Sequence, residues 1–234
     1  MADTERLKRQ VRALAFDLYG TIVDMQGGLT RAVGPFLKRK GWDGEPQRFV
    51  TWWRRTHVEN SMIDALCDRG HTPYREIGHR AVSHVMERCG IAYTQDEVRG
   101  LVSEIERLQP FPGVLAALQR LKGRYTLAIL SNGDRDMLEA AQPHIGFPFD
   151  HVISVQEAGA FKPHWRTYAK AEEIVGVDRS AILFVANHAF DCIGAKSFGM
   201  RTAFVDRRKR PFGETPHQPD WVVPDFQALA DLLA

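Results

Sequence analysis

Cysteine is scarce in this chain of 234 residues, which holds three: Cys67, Cys89 and Cys192. Odd in number, scattered and never paired as Cys-x-x-Cys, they argue against a disulfide framework or a zinc site and fit a reducing cytoplasm. Long apolar runs are missing too. No stretch approaches the roughly 18 residues of a membrane-spanning helix, so no membrane partner is expected. The first ten residues are charged and contain no apolar h-region, which is not the pattern of a secretory leader. Charge of one sign is also lacking: 31 Lys and Arg face 29 Asp and Glu, a net +2 that is too balanced to imply nucleic acid. The one dense basic run, Arg207-Arg208-Lys209-Arg210 beside Pro211 and Gly213, reads as a solvated loop, with a partner or anion patch as the alternative. Nine histidines are present, but none stands in His-Glu-x-x-His or another recognised ligand spacing. Internal repeats and low-complexity tracts are absent.

What the chain does have is the balance of a globular protein with a sizeable core, 44% hydrophobic against 26% charged residues. Five short apolar runs punctuate it: 13–17, 126–131, 151–155, 181–186 and 202–205. They are nearly continuous in apolar character, as strands buried on both faces are. Helical patterns at 114–122, 135–142, 164–175 and 189–198 separate the later ones, and an amphipathic stretch at 226–233 closes the chain. Alternating strands and helices predict an α/β fold, a Rossmann-like parallel sheet. Residues 24–110 differ. They show helical periods and no convincing strand, with breaks at 41–46, 70–73 and 90–94. Thr94 and Glu97 form a capping box ahead of Val98, Leu101, Val102, Ile105 and Leu108 on one face. Phe49, Trp52 and Trp53 share a helical face and read as packing rather than a cofactor box. A small all-helical insert, 24–110, therefore sits after the first strand of a core formed by 1–23 and 111–234.

In a parallel sheet, the loops after the strands' carboxyl ends converge on one crevice. The first strand delivers Asp17 there, with Tyr19 and Thr21 in the turn. The second delivers Ser131, Asn132 and Gly133. Lys162 and Pro163 follow the third, and Asn187, His188 and Asp191 the fourth. Strand ends are often polar, yet four ending in charged or hydrogen-bonding residues mark a site. A carboxylate beside a lysine stays ionised, because the cation stabilises the charged form. Set against an electrophilic carbon, Asp17 can attack and form an ester. Ser131 and Asn132 can orient that carboxylate or the substrate's own acid group, and Asp191 can position or deprotonate the water that cleaves the ester. A purely structural Lys162–Asp191 ion pair is the bland alternative, weakened because buried charges without function are costly.

These residues resemble the haloacid dehalogenase superfamily. Phe16 to Asp24 (Phe-Asp-Leu-Tyr-Gly-Thr-Ile-Val-Asp), Ser131-Asn-Gly133, Lys162-Pro163 and Phe184 to Asp191 (Phe-Val-Ala-Asn-His-Ala-Phe-Asp) match its four motifs in order across the whole chain. The helical insert resembles its small cap. Most members are magnesium-dependent phosphatases with Asp-x-Asp at the first motif and further acids at the fourth. Here Tyr19 takes the second acid's place and the fourth motif holds one acid, a poor set for a hard cation that takes carboxylate oxygens. The departures resemble the 2-haloacid dehalogenase branch, which keeps the Asp-x-Tyr-Gly-Thr turn and needs no metal. That resemblance implies that Asp17 displaces halide from the carbon next to a carboxylate, with inversion, before water hydrolyses the ester. It also implies a cap arginine in a Trp-Arg context that receives the halide. Trp53-Arg54 matches, with Arg55 as the neighbouring candidate and a surface arginine as the bland alternative. A guanidinium facing the nucleophile stabilises the departing anion. Where the branch has Ser and Asn, this chain has Ala186 and His188, a change that bears on the substrate rather than the reaction. His188 reads equally as a donor to the halide, an aid to the water, or a packed neutral imidazole.

The expectation is a cofactor-free hydrolase that converts a small 2-haloalkanoic acid, with haloacetate and fluoroacetate among the candidates, to halide and the 2-hydroxy acid. Asp17, Lys162, Asp191, Arg54 and His188 carry the reaction. Tyr19, Thr21, Ser131, Asn132, Asn187 and Phe190 hold the substrate, and Phe161 and the cap tryptophans supply a dry wall. A magnesium phosphatase is the alternative, and a catalytically idle binding protein the third class, opposed by the presence together of Asp17, Lys162 and Asp191. Cap aromatics taken as exposed leave a homodimer open.

Overall fold

Short apolar runs become strands because each is buried on both faces of one sheet. The computed structural model describes residues 2–233. After α1 (Ala2–Gln10) come β1 (Ala13–Phe16), β2 (Thr126–Ser131), β3 (His151–Ser154), β4 (Ile182–Ala186), β5 (Arg201–Val205) and β6 (Trp221–Val223). They form one parallel sheet in the order β3-β2-β1-β4-β5-β6. β1 is central and fully buried, with Ala13 opposite both Thr126 and Ile182. The chain moves to one side of β1 for β2 and β3, then crosses to the other for β4. That reversal opens a crevice at the carboxyl end of β1, where such sheets bind ligands.

α6 (Val114–Leu121), α7 (Arg135–Ile145), α8 (Trp165–Val175), α9 (Ala189–Phe198) and α10 (Phe226–Leu233) cover the sheet. The sheet has a sixth strand beyond the five expected, and α1 was also not anticipated. β6 is three residues long, too short to show a period, and follows a loop containing Pro211, Pro216 and Pro219. Its register is set by Asp220, whose N–H donates to Thr202 O and whose carboxylate accepts from Thr202 N–H.

Between β1 and β2 lie α2 (Met25–Arg39), α3 (Pro46–Cys67), α4 (Tyr74–Arg88) and α5 (Gln95–Ser103). Asp24 caps α2 by accepting from Gly27 N–H at 2.8 Å, and Pro46 opens α3 at its first turn. The capping box at α5 is formed, with Glu97 N–H on Thr94 Oγ1 and Thr94 N–H on Glu97 Oε2. Val98, Leu101, Val102, Ile105 and Leu108 are buried. Two backbone hydrogen bonds, Asp24 N–H to Gln109 O and Phe111 N–H to Ile22 O, tie the two chain segments that join this helical layer to the core. Phe49 and Trp53 are buried inside the helical layer, whereas Trp52 is half-buried between the guanidinium groups of Arg48 and Arg88. The cap aromatics are therefore not the exposed surface on which a homodimer was left open. The large exposed apolar side chains of α3 are Ile63 and Leu66. Among the described residues, no helix is long and apolar enough to cross a membrane.

Candidate active site

β1 ends at Phe16, but its ladder continues for one more bond, Asp17 N–H to Val185 O at 3.0 Å. The Asp17 carboxylate thus stands at the carboxyl edge of the sheet. The chain turns sharply at Gly20, whose φ is 89°. A Cβ there would come within 2.9 Å of His188 Cε1 and 3.2 Å of Arg54 Nη2, so glycine lets the turn, the fourth motif and the cap meet. The turn folds Thr21 back on the acid. Its hydroxyl donates to Asp17 Oδ2 at 2.6 Å and accepts from Asn187 N–H at 2.9 Å, which ties the ends of β1 and β4.

Lys162 fills the space behind Asp17. An ammonium has three donors, and here all three are used: Asp17 Oδ1 at 2.8 Å, Asp191 Oδ2 at 2.6 Å and Leu130 O at 3.0 Å. Its loop is held by Asn132 Oδ1, which accepts from Lys162 N–H at 3.0 Å. The other oxygen of Asp191 accepts from the Tyr168 hydroxyl at 2.7 Å. One ammonium is thus buried with two carboxylates. Burial opposes ionisation of Asp17, but the Lys162 charge and bonds from His188 and Lys162 outweigh it and hold the acid well below the usual carboxylate range. Burial and the neighbouring Asp17 push Asp191 the other way, against the pull of Lys162. Burial would lower Lys162, yet the two carboxylates keep it above its ordinary value. Asp17 is the more acidic of the two.

In front of Asp17 is a small cavity of about 40 Å³. Its polar lining is Asp17, Asn132, Lys162, Arg54 and His188, and its wall is Tyr19, Met25, Val58, Tyr74 and Phe190. His188 Nδ1 is 3.4 Å from Asp17 Oδ2. Arg54 enters from α3, held among the described residues by one hydrogen bond from Nη1 to Gln26 Oε1 at 2.9 Å, while its buried Nε has no partner there. Burial lowers the Arg54 pKa, as does the charge of Arg208. Arg55, one residue on, is exposed and points to an outer cleft.

Several residues expected at the substrate stand behind it. Ser131 is buried and accepts from Gly133 N–H, shaping the turn after β2. The Asn187 side chain donates to Val205 O and its backbone holds Thr21. Thr21 and Asp191 are fully buried and line no part of the cavity. One oxygen of Asp191 accepts from Lys162 and the other from Tyr168, both on the side away from the cavity. Nor do Phe161 or the cap tryptophans form the wall. Trp53 is turned into the cap, and Phe161 packs behind the cavity, beside His71 and Tyr74.

Three contributors were missed. Tyr168 braces Asp191, and as a tyrosine in an amphipathic helix it carries no signal beyond core packing. Tyr74 lies flat on Tyr19, ring centroids 5.6 Å apart and 6° from parallel, and closes the cavity from α4. Asp134 precedes α7 and looks like its N-cap, but its carboxylate makes no bond there. It accepts instead from Tyr74 N–H at 2.8 Å and Arg75 N–H at 2.9 Å, the first donors of α4. A core carboxylate therefore caps a cap helix.

The donor set does not fit a magnesium ion. Asp17 and Asp191 share Lys162, Asp191 is buried away from the cavity, and Tyr19 stands where a second acid would be. Among the described residues, no group of three or more His, Cys, Asp or Glu could hold a metal.

Comparison with known proteins accords with this geometry. A family model described as haloacid dehalogenase-like hydrolase matches residues 11–199. An (S)-2-haloacid dehalogenase of Pseudomonas sp. (strain YL) is 33% identical over 226 residues, covering 95% of this chain and 94% of that protein. Haloacetate dehalogenase H-2 of Moraxella sp. (strain B) is 31% identical over 229 residues, covering 97% and 99%. The structure of L-2-haloacid dehalogenase from Xanthobacter autotrophicus with chloropropionic acid covalently bound superposes with a TM-score of 0.85 at 30% identity, over 95% of this chain and 98% of that one.

Proposed function

The chain belongs to the haloacid dehalogenase-like hydrolases, and from that premise we propose that it hydrolyses the carbon–halogen bond of a small 2-haloalkanoic acid, haloacetates included. The observation that carries this reading is Asp17, kept ionised by Lys162 and facing a cavity too small for a large substrate, with an arginine on the opposite side. The Asp17 carboxylate attacks the carbon bearing the halogen. A carbon–oxygen bond forms, the carbon–halogen bond breaks, and the halide leaves with the electron pair towards Arg54, whose charge offsets the one developing on the leaving group. Asn132 bonds Lys162 through its oxygen, which leaves its NH₂ for the substrate's carboxylate. Water then adds to the carbonyl carbon of the Asp17 ester. Its proton goes to His188, because Asp191 is buried away from the cavity whereas His188 lines it, 3.4 Å from the reacting group. Collapse releases the 2-hydroxy acid and restores Asp17 with one oxygen from water. The proton that leaves His188 balances the reaction: haloacid and water give hydroxy acid, halide and H⁺.

No step uses a metal, because Lys162 supplies the positive charge between the two acids. Residues 24–110 act as a cap on a core of 1–23 and 111–234, and the unpaired cysteines suit a reducing cytoplasm. The test is one turnover with enzyme in excess, in oxygen-18 water containing excess EDTA. The hydroxy acid should be unlabelled and the peptide containing Asp17 should gain mass. Product labelled at once, with an unlabelled peptide, would mean that Asp17 activates water instead. A reaction stopped by EDTA and restored by magnesium would end the metal-free reading.

A further inference from the structure

The basic run after β5 has no part in the site described so far. In the fold it forms one wall of a cleft of about 1120 Å³. Arg207, Arg208 and Arg210 stand on the core side and Arg54 and Arg55 on the cap side, against two carboxylates, Asp24 and Glu59. Gly20, in the turn after Asp17, lines it as well, and Arg54 and Val58 line both this cleft and the catalytic cavity, so the two spaces adjoin. Among the described residues none of the five arginines makes an ion pair. Arg207 lies over the rings of Phe111 and Phe226, at 4.2 and 5.2 Å, with both terminal nitrogens buried and without an acceptor. Arg208 is close enough to Arg54 and Arg210 for their charges to repel. Like charges held together in a concave, partly apolar space focus a positive potential.

We propose that this cleft is an anion antechamber, a second site that gathers small monovalent anions: the carboxylate substrate on its way to Asp17 and the halide on its way out. The kinetic half of the proposal rests on the dehalogenase reading, whereas the binding half does not. Arg208→Gln with Arg210→Gln tests both, since these side chains are exposed and make no hydrogen bond among the described residues.

Chloride alone is the first probe. Protein-dependent broadening of the chlorine-35 resonance, read without substrate, should fall about threefold in the double variant. Equal broadening in both proteins would mark the chloride as adventitious and overturn the site. Chloroacetate turnover is the second. At about 10 mM ionic strength, where the Debye length is about 30 Å, kcat/KM should fall roughly five- to tenfold with kcat within about twofold. The two proteins should converge by about 0.5 M salt. A deficit that ignores salt, or one confined to kcat, would overturn the gathering role. If the wild-type protein turned over no haloacid yet showed arginine-dependent broadening, the dehalogenase reading would fall and the anion site would stand.

Discussion

Lys162→Met keeps a stem of similar length and removes the ammonium that holds the two acids together. Each of its carboxylate contacts, at 2.8 and 2.6 Å, represents about 6 kcal/mol of attraction at an effective dielectric near 20. Desolvation offsets most of that. The relevant figure is the cost of leaving a buried charge without its partner, about 3–5 kcal/mol. Asp17 and Asp191, side chains 9% and 1% exposed, would then face each other with no cation and share a proton. Turnover should drop about a thousandfold, from about 4 kcal/mol of lost stabilisation.

The effect of Lys162 on stability has a definite sign with pH. In the wild type, Asp17 is depressed below its unfolded value of about 3.9. It therefore adds stability above about pH 4, and that contribution is lost as pH falls through the folded value. In the variant the carboxylates are raised, so they penalise the folded state above their new pKa, and the penalty fades as pH falls through it. Urea unfolding of both proteins should show a gap of about 3–5 kcal/mol near pH 7–8 that narrows towards pH 5. A gap below about 1 kcal/mol at pH 7, or one that widens on acidification, would refute the idea that Lys162 neutralises a buried acid pair.

Arg54→Ala should lose about 100-fold or more in kcat, roughly 3 kcal/mol of barrier, while Arg55→Ala stays within a few-fold; steady-state kinetics on chloroacetate would expose the reverse order. Asp134→Ala removes the cap from the first two N–H groups of α4 and should cost about 2 kcal/mol in chemical unfolding. Because Tyr74 lines the cavity, KM should also rise, with partial recovery in Asp134→Asn; a stability loss with unchanged KM would limit Asp134 to structure. His188→Asn should let the ester accumulate, visible as an adduct on Asp17 in intact mass; slow turnover with no adduct would put His188 at the halide step instead.

The parts of this molecule that were legible from sequence are those encoded by neighbours in the chain. β1, β2 and β4 read as strands because burial on both faces leaves four to six apolar residues in a row. Asp17, Lys162 and His188 were legible because each follows a strand on the same edge of the sheet. Tyr168, Tyr74 and Asp134 were not, since each acts on a residue between 23 and 60 positions away. Asp134 even sits where a local cap belongs. The cap tryptophans failed for another reason: a wall residue and a core residue are equally apolar, and helix rotation alone separates them. On α3, Arg54 and Val58 are four residues apart and share the face towards the cavity. Trp53, about 100° from Arg54 around the helix, turns into the cap.

The committed and uncommitted polar atoms divide the labour of the site. Lys162 has no donor left and Thr21 no proton, and each oxygen of Asp191 accepts from a buried donor, so the bonds of these three go to holding Asp17 in place. Arg54 is the opposite case. Its side chain has five N–H donors and, among the described residues, makes one hydrogen bond, through Nη1, and leaves its buried Nε unpaired. Buried donors rarely stay without acceptors, and one left empty in the resting protein is under-satisfied until an anion arrives. Solvating it in advance with a protein carboxylate would stabilise the resting state and the transition state alike, with no gain in rate. On the reaction proposed for this site, the missing partner is the departing halide, as charge moves from Asp17 onto the halogen. A carboxylate placed beside Arg54, as in Val58→Glu, should therefore slow turnover by quenching that donor even though it adds an ion pair. If Val58→Glu turned over normally, the halide would have to leave by some other side of the cavity.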